Sequence, residues 1–217
     1  MPVPCAESCK NKSGQLKKTL RSSQAQTEEK QQQRLDYWSQ VKEVDAKNLV
    51  FLDEMGVLLG LMRTRARSLK GDRAYDFKPF YRGKRITVMG AMTQTKVLAI
   101  KTISKGMNGQ DFQQFLREEL APNLWEGAVV IMDNLPAHKV EGVIKIIEDV
   151  GASILYLSPY SPEFNPIEHL WSQLKIFLRK FSPKTEKAVA QLLKIALLLS
   201  NPKHFRNWFS HCCYCAN

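Results

Sequence analysis

From Asn48 onward, apolar residues fall first into short runs and then into helical stripes. NLVFLDE (48–54) is an apolar run closed by two acids, which predicts a buried strand. GVLLGLM (56–62), RITVMGAM (85–92) and VLAIKTIS (97–104) predict three more, with a turn around Lys96 between the last two. NGQDFQQFLREEL (108–120) changes period, because Phe112, Phe115, Leu116 and Leu120 recur at helical spacing. GAVVIMDN (127–134) returns to a continuous apolar run, a buried strand ending in an acid. KVEGVIKIIEDVG (139–151) predicts a helix stopped by Gly151. SILYLSP (153–159) predicts a strand stopped by proline. PIEHLWSQLKIFLRKF (166–181) predicts a helix with Ile167, Leu170, Trp171, Leu174, Phe177, Leu178 and Phe181 on one face. AVAQLLKIALLLS (188–200) is interrupted by Gln191 and Lys194, so it reads as an amphipathic core helix rather than a membrane span.

Clustered strands followed by strand–helix alternation imply an α/β domain with a mixed sheet flanked by helices. The ribonuclease-H-like fold has this element order. Residues 1–47 differ from the remainder: they are rich in Lys, Gln, Glu and Ser and poor in large apolar residues. Within them QAQTEEKQQQRLDYWSQV can form a helix whose narrow apolar stripe is Leu35, Trp38 and Val41. The expected organisation is an N-terminal helical arm or linker over 1–47 and one catalytic-sized domain over 48–217.

Composition changes this picture in one respect. A hydrophobic content of 44% and a charged content of 24% are ordinary for a globular chain of 217 residues. The net charge of +11 is not, and it favours a polyanionic partner such as nucleic acid. The N-terminus MPVPCAESCK lacks the apolar centre of a signal peptide, so a cytoplasmic location is expected. The five cysteines are an odd number clustered at the two ends, which argues for free thiols rather than a disulfide framework. The spacing His211-Cys212-Cys213-x-Cys215 is not a usual zinc-ligand spacing.

Three acids stand out by position. Asp53 closes the first buried run, Asp133 closes GAVVIMD, and Glu168 opens a helix. Strand-end acids are commonplace, but each Asp here follows four or more apolar residues, and a carboxylate at the edge of a buried sheet needs a partner. Glu168 also has a purely structural explanation: Asn165 can cap the helix, Pro166 suits its first position, and Glu168 completes a near capping box. Hard divalent ions take oxygen ligands from a few carboxylates plus substrate phosphates. Two such ions can stabilise the attacking and leaving oxygens of a phosphoryl displacement. Asp53, Asp133 and Glu168 meet that demand if the sheet brings them together. The chain contains no Walker P-loop, no HExxH and no GxSxG.

FLDE, MDNLPAHK and YSPEFNPIEHLWSQLK together resemble the three catalytic blocks of DDE transposases of the mariner-like superfamily, in its bacterial insertion-sequence branch. The 34 residues between Asp133 and Glu168 are the spacing associated with that superfamily. The resemblance runs from about Lys17 to NWFSHCCY. It implies metal-dependent DNA cleavage at the ends of an insertion sequence, followed by attack of the freed 3′-OH on target DNA. Asp53, Asp133 and Glu168 would bind Mg²⁺ or Mn²⁺, two ions in all. The partner would be double-stranded DNA, bound by a homodimer near the bacterial nucleoid. Lys175, two helical turns after Glu168 and on the same face, matches a basic residue that contacts DNA in related enzymes. Such transposases carry N-terminal helix-turn-helix modules. Residues 1–47 hold no convincing one, so the expectation is a catalytic half: either one reading frame of a frameshifted element, with the DNA-reading part encoded separately, or a decayed copy. A catalytically incomplete fragment that binds DNA or regulates transposition is the alternative. Cys213-Tyr214 stands where relatives have Gly-Tyr, a small departure.

Other residues join the candidate site. His138 and Lys139 follow Asp133 closely enough to line a catalytic face and contact phosphate, although His138 also fits a hydrogen-bonded loop histidine. Asn134 is placed to hydrogen-bond just outside the carboxylates. Glu54 should point away from Asp53 in extended chain and is left out of the triad. The stretch 63–85 holds nine Lys or Arg against two Asp, including Arg63, Arg65, Arg67, Lys70, Arg73, Arg82, Lys84 and Arg85, interleaved with Tyr75, Phe77, Phe80 and Tyr81. A basic, aromatic loop of this density suits a DNA backbone, with rings available for stacking on unpaired bases.

Overall fold

The computed structural model describes residues 27–63, 66–75, 77 and 83–214. A five-stranded mixed sheet, in the order β3-β2-β1-β4-β5, organises the domain. Strands β1 (Leu49–Leu58), β2 (Arg85–Met92) and β3 (Val97–Ile103) form an antiparallel meander. Strands β4 (Val129–Met132) and β5 (Ser153–Tyr156) continue the sheet on the other side of β1, parallel to it. Short β4 is apolar and almost wholly buried, as a strand covered on both faces requires, whereas edge strand β5 is half-buried and begins with exposed Ser153.

Side-chain parity along β1 sorts the core into two layers. Leu49, Phe51, Met55 and Val57 pack with one set of helices. These are α1 (Glu28–Val41), α4 (Ile167–Phe181), α5 (Glu186–Leu198) and α6 (Pro202–His211). Val50 and Leu52 face the opposite layer of α2 (Gly109–Phe115), the π-helical turn Leu116–Leu120, and α3 (Val143–Glu148). The helical periods named above hold: Phe112, Phe115, Leu116 and Leu120 are all buried, as are Ile167, Leu170, Trp171, Leu174 and Leu178. Helix α2 starts on a capping box between Asn108 and Asp111.

Four expectations need correction. GVLLGLM is not a separate strand, because β1 runs unbroken from Leu49 to Leu58 and pairs with β2 along that length. Asp53 is therefore inside a strand rather than at its end. The helix expected from Lys139 begins only at Val143, since Pro136–Lys139 forms a 3₁₀ turn and Gly142 takes a left-handed φ of 91°. On α1, Val41 is buried and Trp38 packs against the core as expected, but Leu35 is exposed and Tyr37 takes its place in the docked stripe. Phe181 is also exposed, at the end of α4. Among the described residues no helix is long and apolar enough to cross a membrane.

The arm joins the main core. The Tyr37 hydroxyl lies 2.6 Å from that of Tyr214, which donates to the Phe164 carbonyl at 2.7 Å. Cys213, beside Tyr214, has φ 69°, a left-handed conformation that glycine adopts without steric cost. Cys212 is a free, buried thiol, whereas Cys5, Cys9 and Cys215 lie outside the described residues.

Candidate active site

The strand β1 delivers Asp53 to the face covered by α4. Its Oδ2 accepts hydrogen bonds from Asn165 Nδ2 at 3.1 Å and Trp171 Nε1 at 3.2 Å, and its Oδ1 accepts from the Glu54 N–H at 2.7 Å. Asp133 follows β4 immediately, where the parallel ladder with β5 ends. Its Oδ1 accepts from the Leu135 N–H at 3.1 Å and lies 2.8 Å from His138 Nδ1. Glu168 sits in the first turn of α4, exposed, where the helix dipole favours a carboxylate. All three line one cavity of about 700 Å³, together with Asn134, Asn165 and Lys30 of the arm.

Negative charge accumulates here. Burial pushes the Asp53 carboxyl up to about 7, and the charges of Glu168, Glu54 and Asp133 add to that rise against the opposing Glu54 N–H bond. Two carboxylates converging on a buried third is the arrangement a cation relieves. The Asn165 side-chain oxygen is buried beside Asp53 with no hydrogen-bond partner among the described residues. Carboxylate oxygens and an orphaned amide oxygen are the donor set a hard divalent ion takes. The described His, Cys, Asp and Glu side chains are nonetheless not drawn into a ready-made ligand cluster of three.

Asn165 thus does something other than capping. Helix α4 is preceded by Pro166 with no side-chain cap, and the amide that was expected to cap it reaches across to Asp53. The capping box with Glu168 does not form. Trp171, read from sequence as core, is buried core and a donor to Asp53 at once. The loop carrying Asn165 is braced from the arm: Arg34 donates to Glu163 at 2.6 Å and Ser161 at 3.1 Å, and stacks on the Phe164 ring at 4.6 Å. No signal in the arm's sequence marks Arg34 among its many polar residues.

His138 also departs from expectation. Its side chain is fully buried, so it presents nothing to a DNA phosphate. Its Nε2 lies 2.7 Å from Glu54 Oε1, its Nδ1 is held by Asp133, and its ring packs on Phe112. Burial pulls the imidazole down, but the hydrogen bonds to Asp133 and Glu54 and the Glu54 charge outweigh it and hold the group at about 10. Glu54 does point away from Asp53, as parity requires, yet it returns to the site through this histidine.

The remaining candidates are dispersed. Asn134 Nδ2 donates to the Leu157 carbonyl at 2.8 Å, tying the loop after β4 to the end of β5. Lys139 is exposed, its ammonium 5.5 Å above the Tyr156 ring. Lys175 is half-buried on α4. Arg63, Arg67, Lys70, Arg73 and Lys84 are exposed on the connection between β1 and β2, as are Tyr75 and Phe77, and Arg85 is exposed at the start of β2. Arg65, Arg82, Phe80 and Tyr81 lie outside the described residues.

No curated protein matches the sequence. Solved structures do. The structure is similar to a Mos1 transposase paired-end complex with the left transposon end, at TM-score 0.72 and 18% identity over 92% of this chain and 64% of that one. A Mos1 mariner paired-end complex with Mg gives TM-score 0.72 at 17% identity, over 94% of this chain and 66% of that one. The isolated catalytic domain of Mos1 mariner transposase gives 0.63 at 16% identity, over 91% and 92%. The chain therefore spans only 64% of the transposase in the first complex and nearly all of the isolated catalytic domain. The fold is the ribonuclease-H-like mixed sheet flanked by helices. The profile of the DDE superfamily endonucleases matches residues 48–189, the span that carries all three acids, and the chain belongs to that family.

Proposed function

We propose that this chain is the catalytic part of a DNA transposase that cuts double-stranded DNA at the ends of an insertion sequence and transfers the freed 3′-OH to target DNA. The observation that carries the reading is the convergence of Asp53, Asp133 and Glu168, from three separate elements, on one open cavity beside buried Asn165 Oδ1, which has no hydrogen-bond partner among the described residues. These three carboxylates would hold Mg²⁺ or Mn²⁺, two ions in the full site, which would supply positive charge to the attacking and leaving oxygens of phosphoryl displacement. Trp171 and Asn165 hold the Asp53 carboxylate in one rotamer by two hydrogen bonds to the same oxygen. Lys175, half-buried on α4, and exposed Lys139 would supply positive charge to DNA phosphates. The exposed residues Arg63, Arg67, Lys70, Arg73, Lys84 and Arg85 contribute sequence-independent backbone attraction, which weakens steeply with salt. A second copy of the chain on the paired DNA ends, and a separately encoded helix-turn-helix part, complete the proposed assembly.

The test is nicking of a duplex carrying an element end, in Mg²⁺ or Mn²⁺, by wild type and Asp133→Asn. The variant should bind the duplex as wild type does and fail to nick it. Equal nicking by both proteins refutes the assignment, and metal-independent binding without cleavage by wild type points instead to a regulatory fragment.

A further inference from the structure

The two aspartates are held from opposite faces of the sheet. Asp53 is gripped on the α4 face by Trp171 and Asn165. Among the described residues Asp133 has no comparable partner there. It lies just past β4, where the ladder no longer constrains it, and its side chain is 42% exposed. What holds it comes from the α2 face. His138 Nδ1 is 2.8 Å from Asp133 Oδ1 and 3.1 Å from its carbonyl oxygen, so the ring closes a five-residue loop onto the carboxylate. The ring is in turn fixed by Glu54 Oε1 at 2.7 Å from Nε2 and by Phe112, with ring centroids 4.3 Å apart. Glu54 is the residue next to Asp53, and strand parity is what sends it to the other face.

We propose that His138 is a positioning residue for Asp133, and that Glu54 sets the orientation of the His138 ring, so that the strand carrying one metal-binding aspartate also locks the other. The inference rests on the reading of Asp133 as a metal ligand. A carboxylate–histidine–carboxylate chain of this kind fixes one oxygen of a residue that lines the cavity. Outer hydrogen-bond partners of metal ligands contribute strongly to affinity because they hold the ligand in place before the ion arrives. Sequence spacing alone could not show this, since Glu54 and His138 are 84 residues apart.

The test is a Mn²⁺ titration, followed by the electron paramagnetic resonance signal of free Mn²⁺, with Asp133→Asn as the reference and thermal melts to confirm folding. The amide of an asparagine at 138 reaches the place of Nδ1, whereas that of a glutamine reaches the place of Nε2. His138→Gln, which loses the donor to Asp133, should weaken Mn²⁺ binding about 10- to 100-fold. His138→Asn, which keeps that donor, should weaken it by less. Glu54→Leu, at a side chain 11% exposed and of similar size, should fall with His138→Gln, and it decides the matter if the buried histidine variants do not fold. Wild-type affinity in folded His138→Gln or in Glu54→Leu overturns the inference. So does an equal loss in the Asn and Gln variants, which would mark a packing role only. If wild type binds Mn²⁺ no better than Asp133→Asn, the reading of the site itself fails and the inference falls with it. Tight wild-type binding with unaltered variants removes the inference alone.

Discussion

Gly90→Ala probes how the fold holds Asp53. Gly90 is the register partner of Asp53 across β1 and β2. A Cβ at Gly90 would lie 2.5 Å from Trp171 Cη2 and 3.4 Å from Cζ2. The Trp171 ring is buried in the core and donates from Nε1 to Asp53. Two effects of opposite sign then compete. Alanine loses less conformational entropy than glycine in a strand, a gain of about 0.5–1 kcal/mol. Forcing a methyl into a packed core costs about 1–3 kcal/mol, because the ring has to move off its position. An approach of 2.5 Å to a buried ring puts the cost in the upper part of that range, about 2–3 kcal/mol, so the clash wins and a net destabilisation of about 1–2.5 kcal/mol is expected. Urea unfolding at unchanged m-value reads it directly. In a thermal melt, each kcal/mol lowers Tm by roughly 2–4 °C for a chain of this size. Displacing the ring also lengthens the bond to Asp53 Oδ2, so Mn²⁺ binding should weaken along with stability. The cause is checked by a double-mutant cycle with Trp171→Phe, whose smaller ring no longer reaches position 90, so that Gly90→Ala should cost less in that background. A Gly90→Ala protein as stable as wild type, or an equal cost in both backgrounds, refutes the reasoning.

Two further predictions concern the seam between the arm, the C-terminal segment and the loop before α4. Because the Tyr214 hydroxyl proton goes to the Phe164 carbonyl, Tyr37 is the donor in the tyrosine pair. Tyr37→Phe loses one hydrogen bond and should cost about 0.5–1.5 kcal/mol, whereas Tyr214→Phe strands a buried hydroxyl and removes the donor to Phe164, about 1–3 kcal/mol, so urea unfolding that reverses this order contradicts the assignment. Alkaline pH should also loosen this seam. Burial, with the charges of Cys213 and Glu163, pushes the Cys212 thiol from an ordinary 9.0 up to about 12. Above pH 9.0 the unfolded chain releases that proton while the folded chain keeps it, so stability falls as pH rises from 9.0 towards about 12. Buried Tyr37 and Tyr214, both raised above the usual phenol range of 10.0, steepen the fall further. Urea unfolding across this interval should show the decline, with a shallower slope in Cys212→Ala; a flat profile in wild type contradicts it.

The sequence by itself determined what local periodicity encodes. The helical stripes at Phe112–Leu120 and Ile167–Leu178 and the apolar runs of β2, β3, β4 and β5 were legible because burial on one face or two imposes a repeat that neighbouring residues must obey. The three acids were legible too, since each interrupts or borders such a pattern, and their spacing carried the family resemblance. Tertiary structure alone decided how those acids are held. Asp53 takes its side-chain partners from residues 112 and 118 positions away, and His138 reaches Glu54 across 84. No local repeat records such pairings. Asn165 had a sound local role as a helix cap, but a buried carboxylate with few partners outweighs a helix N-terminus that the preceding proline already relieves of one N–H. Leu35 yielded its place to Tyr37 for a related reason: what α1 packs against is an aromatic seam with a hydroxyl partner in Tyr214, and that surface exists only once the C-terminal helices have folded over β1.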